Sequence, residues 1–198
     1  MPRPILLVLG LLLALATLMG SGRTSIQAQE ATPEASSSDC PATTPEENTE
    51  LVRQYVDEVY NAHNPAAADA FLAEDFNRNN PGRPHQNEPG NADDVARVQR
   101  SLDEFPDLSG TIDAVIAQGD QVAALVTMRG TQQGDFADLG VAATGQVAEW
   151  QAAHFWRFEC GLMAENWVVT DRLSEYKQLG IITDDELADA KAMATPAP

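Results

Sequence analysis

The chain is 198 residues long and carries 30 acidic against 12 basic side chains, a formal net charge of −18. A surface that negative repels phosphate backbones and anionic membranes, which argues against nucleic-acid binding, and the length allows one core of ordinary size rather than two. The three histidines, His63, His85 and His154, lie far apart, and no CxxC or HExxH spacing occurs, so the sequence offers no support for a metal site.

Arg3 precedes an apolar run from Ile5 to Met19, and small and polar residues follow, with Ala28 in a cleavage-compatible setting. This is the layout of a secretory signal peptide over residues 1–28, because about 15 apolar residues fall short of the roughly 20 that a membrane span requires. Export is the expected outcome, with no stable membrane contact after signal removal; an uncleaved N-terminal anchor is the alternative. Residues 29–45, QEATPEASSSDCPATTP, lack apolar periodicity and read as a flexible leader. One domain is expected over residues 46–182, followed by a helical or disordered tail over 183–198. In an exported chain the even pair Cys40 and Cys160 reads as a disulfide tying the leader across the end of a sheet. The chain-entropy account gives such a long loop about 4 to 5 kcal/mol before native strain. Two free thiols, or two intermolecular bridges, are the competing readings.

Thr44-Pro45-Glu46-Glu47 signals a helix start that should run to about Ala62 and bury Leu51, Tyr55 and Val59, with Val52, Val56 and Tyr60 widening the stripe. Pro65 opens a second short helix through Leu72. Residues 73–90 hold three prolines and two glycines and read as a long irregular loop, a candidate pocket rim. Asn91 to Asp94 cap a third helix ending near Glu104, with Val95, Val98 and Leu102 inward. Strands are expected over Leu108 to Gln118 and Gln121 to Gln132, joined by a turn at Gly119-Asp120. After a glycine-containing connection comes WQAAHFWRFECGLMAENWVVTD, Trp150 to Asp171, which reads as a long hairpin turning at Cys160-Gly161. Helical pieces over Arg172 to Gly180 and Asp184 to Met193 close the chain.

With that turn, Phe158 faces Met163 and the pairing runs back to Trp150 opposite Asp171. Alternation then puts Trp150, Ala152, His154, Trp156 and Phe158 on one face, joined by Met163, Glu165, Trp167, Val169 and Asp171. All three tryptophans fall on that side, the expected wall of an apolar pocket or core, with His154, Glu165 and Asp171 as its ionisable members. A one-residue slip or a bulge would exchange the faces. Four residues of strand, roughly 13 Å at about 3.3 Å each, separate His154 from the level of Asp171 and argue against a direct dyad. Helices grouped before about four antiparallel strands indicate an α+β domain, a curved antiparallel sheet with N-terminal helices over its concave face and room for a pocket between them.

Seven pieces of the sequence, taken together, resemble the SnoaL-like polyketide cyclase (ester cyclase) family of the nuclear transport factor 2-like fold. They are Glu104-Phe105-Pro106-Asp107-Leu108, Ile116-Ala117-Gln118-Gly119-Asp120, Gly130-Thr131 with Gly134, Thr144-Gly145, Arg157-Phe158, Glu165-Asn166-Trp167 with Asp171, and Gln178-Leu179-Gly180. The resemblance implies a cone-shaped α+β barrel, commonly a homodimer, with a deep pocket for a small hydrophobic molecule and neither cofactor nor metal. It also implies that Asp171, at the position of the family's general acid/base, serves an intramolecular aldol ring closure. A carboxyl in an apolar pocket has its pKa raised, which suits that task. Gln132, Asn79 and Asn166 stand where the family often has histidine, which removes a titrating relay. Trp150, Trp156, Trp167, Tyr55, Gln132 and Asn79 are the substrate-binding candidates, and His154 is a second catalytic candidate that could orient a substrate carbonyl. Each has a plainer alternative. Asp171 could pair with an arginine or cap the following helix, His154 could be a hydrogen-bonded core residue, and the tryptophans could be core. His63 and His85 are expected to face solvent, and Arg129 and Arg157 to be salt-bridged. Three readings follow: a secreted cyclase-like enzyme, an exported binding module on the same fold, or an interaction protein that dimerises through the convex sheet face.

Overall fold

The computed structural model describes Cys40 and residues 42–82 and 89–194. The expected signal peptide, most of the leader, His85 and the last four residues lie outside the described residues. Helix α1 (Pro45–Tyr55) starts on a reciprocal capping box, in which the Thr44 hydroxyl accepts from Glu47 N at 3.2 Å and the Glu47 carboxylate accepts from Thr44 N at 2.8 Å. It then widens into a π-helical stretch, Val56–Asn61, which carries the helical path to the expected end and buries Val56 and Val59 behind Val52 and Tyr55. Asn61 fixes that end to the sheet by donating to Gly110 O at 3.1 Å and accepting from Gly110 N at 2.8 Å. A 3₁₀ turn, Pro65–Ala70, follows.

Residues 73–90 are not one irregular loop. Strand β1 (Leu72–Asn79) occupies their first part and pairs in parallel with β5 (Leu162–Thr170) at one edge of the sheet. The sequence LAEDFNRN hides it because Leu72 and Phe76 are its only buried apolar side chains and its remaining inward residue is Arg78. Helix α2 (Asn91–Glu104) and strands β2 (Ser109–Gln118), β3 (Gln121–Thr131) and β4 (Val147–Glu159) come in the expected order. They are followed by α3 (Arg172–Gln178) and α4 (Asp184–Ala194). The result is a mixed α+β domain whose curved, open sheet has five strands in the order β1-β5-β4-β3-β2, antiparallel except at β1 and β5.

Several of the recurrent sequence pieces turn out to be fasteners. Asp107 accepts from Thr131 N at 2.6 Å and from the Thr131 hydroxyl at 2.7 Å, which holds the loop after α2 to the end of β3. The buried Gln132 accepts from the backbone and hydroxyl of Thr144 at 3.2 and 2.6 Å. Gln178 binds the backbone of Glu149 from both sides, tying α3 to β4. Gly134 lies so close to the end of α2 that a Cβ there would stand 2.2 Å from Asp103 O, while its N–H donates to Glu104 O.

The hairpin turns where expected. Cys160 and Gly161 both have positive φ, 54° and 77°, the two-residue turn whose twist matches the strands, and Glu159 and Phe158 pair with Leu162 and Met163. Beyond that, Ala164 is an extra residue in β5. Arg157 therefore pairs with Glu165, Trp156 with Asn166, and Phe155 with Trp167. The bulge exchanges the faces of β5, so the expectation that Trp167, Glu165, Val169 and Asp171 share a side with Trp150 and Trp156 is corrected, and Asp171 comes level with the exposed Gln151 instead of Trp150. Trp167 is 53 % exposed on the outer face, while Asn166 and Val168 turn inward. Cys40 and Cys160 form the expected disulfide, Cα to Cα 5.3 Å, joining the residues before α1 to the hairpin tip.

Candidate functional site

Between the helices and the inner face of β3 to β5 lies a cavity of about 80 Å³. Its walls are largely aromatic and aliphatic: Tyr55 from α1, Phe76 from β1, Met128 from β3, Trp150 and Trp156 from β4, and Val168 from β5. The α-helical and strand periodicities that bury these residues are ordinary core patterns. What distinguishes the site is the set of polar groups buried beside them.

Asp94, one turn into α2, is 4 % exposed and is held by Arg97 of the same helix, which donates from Nε at 2.6 Å and from Nη2 at 3.0 Å. The Tyr55 hydroxyl donates to the same carboxylate at 3.1 Å, and Arg97 also donates to the Tyr60 hydroxyl at 3.1 Å. Burial works against the Asp94 charge, but Arg97 outweighs it and holds the carboxyl below its ordinary range. Burial and the Asp94 charge together push the Tyr55 hydroxyl well up, so it remains a donor. Arg78, from β1, donates from Nη1 to Asn166 Oδ1 at 3.0 Å and stands 4.0 Å from Asp94.

His154 lies beside this group with Nδ1 3.4 Å from Asn166 Oδ1, its ring stacked on Trp156 with centroids 4.8 Å apart and planes 7° from parallel. Burial, and secondarily Arg78, lowers its pKa to about 3, so the imidazole is neutral at physiological pH. With its Nδ1–H turned to Asn166, the other ring nitrogen is an acceptor. Asn166 also donates to Phe155 O and Trp167 O, both at 3.4 Å, which fixes which end of its amide meets Arg78 and His154.

Of the residues singled out from the sequence, Tyr55, Trp150, Trp156 and His154 are brought together around the cavity. Trp167 is turned outward by the bulge, Asn79 pairs beside it in β1, and Gln132 is committed to the Thr144 turn. Asp171 is exposed at the start of α3, where it caps the helix by accepting from Ser174 N at 3.0 Å; its neighbours Thr170 and Arg172 line the cavity. Its backbone N–H donates to Gln151 O at 2.9 Å, three residues along β4 from His154, so the two side chains make no direct pair. His63 is exposed with Nε2 2.8 Å from Leu108 O, and Arg157 bridges Glu159 and Glu165 on the outer face. Among the described residues, no three His, Cys, Asp or Glu side chains converge in a way that could hold a metal ion.

Sequence reasoning missed Arg78, Asp94 and Arg97. A signal existed for the helical pair, since Asp94 and Arg97 are three apart and next to the inward Val98. Arg78 was legible only once β1 was recognised, as the alternate partner of Phe76.

The sequence matches the SnoaL-like polyketide cyclase family over residues 50–179. No curated protein gives a significant match. Among solved structures, the fold is similar to TsrD from Streptomyces laurentii, with 27 % identity and a TM-score of 0.63 over 71 % of this chain and 99 % of that one. It is also similar to a candidate polyketide cyclase from Acidithiobacillus ferrooxidans, at 26 % identity and a TM-score of 0.62, covering 71 % of this chain and 99 % of that one. AclR from Streptomyces galilaeus, named as a candidate hydroxylase, matches at 26 % identity and a TM-score of 0.61, covering 71 % of this chain and all of that one. A family match over most of the domain, on a fold with an aromatic-walled cavity under its helices, means that the chain belongs to the SnoaL-like polyketide cyclase family.

Proposed function

We propose that the domain binds a small apolar molecule in the cavity and closes a ring on it by an intramolecular aldol reaction. The observation that carries this reading is the enclosure of a neutral, hydrogen-bonded His154 between Trp150, Trp156 and Tyr55 in a member of a cyclase family. In this reading Asp171, flanked by two cavity-lining residues, takes a proton from an activated carbon of the ligand. The carbon's electron pair attacks a carbonyl carbon of the same molecule, and the resulting alkoxide recovers the proton from Asp171. His154, through its acceptor nitrogen, orients an enol hydroxyl of the ligand. The position of Asp171 as an exposed helix cap favours a second reading, an exported module that holds the same ligand unchanged. Native mass spectrometry of the protein with a hydrophobic metabolite library separates them. A compound converted by wild type and merely retained by Asp171→Asn supports catalysis, and unchanged conversion in the variant removes Asp171 from it.

Two further elements belong to the proposal. Export is supported by the layout of residues 1–28 and by the Cys40–Cys160 bond, which persists in oxidising compartments. Mature protein beginning near Gln29 in the external fraction is the expected result. Pairing with a second copy is supported by an apolar row across the outer face, Trp167, Phe155, Ala123 and Ile116, one from each of four adjacent strands. Light scattering should find a dimer, and Trp167→Glu should make it monomeric.

A further inference from the structure

The charged groups around the cavity are matched in number. Three guanidinium groups, on Arg78, Arg97 and Arg172, stand among three carboxyl groups, on Asp94, Glu104 and Glu175. Arg97 donates to both oxygens of Asp94, Arg172 donates to Glu175 Oε2 at 2.5 Å, and Arg78 holds Asn166. The Nε atoms of Arg78 and Arg172 lack a partner, but both are buried and offer a ligand no surface. Tyr55 gives its proton to Asp94, Tyr60 accepts from Arg97, and the Ser101 hydroxyl donates to Arg97 O. A cavity with matched charges suits an uncharged ligand, and two uncharged polar groups on the inner face of the hairpin are open to one. The first is the acceptor nitrogen of His154. The second is the hydroxyl of Thr170, which lines the cavity and for which the described residues supply no hydrogen-bond partner. Thr170 pairs with Ala152 and His154 with Val168, so the two are diagonal neighbours about 7 to 8 Å apart, and the small Ala152 leaves the space between them open. The bulge that turns Asp171 out to cap α3 brings Thr170 in.

We propose that Thr170 is a specificity-determining residue of this cavity, its hydroxyl donating to a ketone oxygen of an uncharged ligand whose own hydroxyl is held by His154. The proposal rests on the small-molecule reading above and adds the residue that selects. With Nδ1 turned to Asn166, His154 offers the ligand an acceptor alone and so requires a donor from it. A threonine hydroxyl can donate, so the two residues together read a hydroxyl and a carbonyl on one molecule, while Trp150 and Trp156 supply the apolar surface for its ring. The inward residues beside Thr170, Ala152 and Val168, carry no polar side-chain atom that would substitute for it. A ligand of the same shape without the ketone covers the Thr170 hydroxyl with apolar atoms and leaves it no acceptor, which is the source of the discrimination.

The test is a titration of the folded, disulfide-bonded protein with meta-hydroxyacetophenone, with meta-ethylphenol, which lacks the ketone, and with acetophenone, which lacks the hydroxyl. Calorimetry and the fluorescence of the two cavity tryptophans read the affinities. Ratios of affinity are compared between wild type and variants, so that the differing hydrophobicity of the probes cancels. Thr170→Val should reduce the preference for meta-hydroxyacetophenone over meta-ethylphenol by about 3- to 10-fold, the range of one neutral hydrogen bond, and Thr170→Ser should keep it. The preference for meta-hydroxyacetophenone over acetophenone, which reads His154, should stay within about twofold of wild type in both variants. A ketone preference unmoved by Thr170→Val, or lost equally in Thr170→Ser, overturns the proposal. So does a joint fall of both preferences, which a general disturbance of the cavity would produce. Failure of all three compounds to bind removes the small-molecule reading and this inference with it. A ketone preference that moves as expected while no library compound is cyclised removes ring closure alone. Cyclisation in a protein whose ketone preference ignores Thr170→Val removes this inference alone.

Discussion

The two faces of the β4–β5 hairpin are built from alternate residues of the same strands, yet they have almost nothing in common. Inward, Trp150, Trp156, Asn166 and Val168 are at most 7 % exposed and share a cavity with a neutral histidine and a buried arginine. Outward, Phe155 and Trp167 face each other at 53 % exposure each, with Val169 beside them. One residue, Ala164, decides which side chains of β5 go where. The lesson is that in a strand the parity of a position matters as much as its identity, and that a tryptophan is a pocket wall or an interface according to a single insertion elsewhere.

The comparison is broken most severely from the inner face, where the effect is read as the urea midpoint of unfolding. Trp156→Ala leaves a hole on the inner face and should cost about 3 to 5 kcal/mol in the same unfolding assay. His154 offers a pH test. Its folded pKa of about 3 lies below the unfolded value near 6.5, so the unfolded state binds the proton first and stability falls as pH drops through that window. Between pH 6 and 4 the expected loss is about 2 kcal/mol, absent in His154→Gln, and nuclear magnetic resonance should show the His154 ring unprotonated from pH 8 to 5. The smallest effect is Trp167→Ala, which in the monomer should shift stability by no more than about 0.5 kcal/mol, against several for its inward counterpart.

Much of this was legible in the sequence because local signals agreed with the global fold. The Thr44 capping box, the Cys160-Gly161 turn and the alternation in β4 each announced themselves. So did the family resemblance, although the pieces that carry it, Asp107 with Thr131 and Gln178 with Glu149, are there to fasten loops and helices rather than to react. The polar heart of the cavity was hidden for physical reasons. Arg78 and Asp94 look like ordinary surface charges in a chain this acidic, and only the pairing of β1 with β5 and the packing of α2 against α1 bury them together. Ala164 could not be located at all, because an alanine in a strand carries no mark that it is unpaired.

The Cys40–Cys160 bond has a topological consequence. It spans 120 positions and encloses every element from α1 to β4 in one covalent ring. A protease that cuts once anywhere inside that ring opens it without releasing a fragment. The nicked protein would keep its full mass until a reductant is added and then separate into two pieces. The molecule is thereby insured against a single cut over most of the length that builds its cavity.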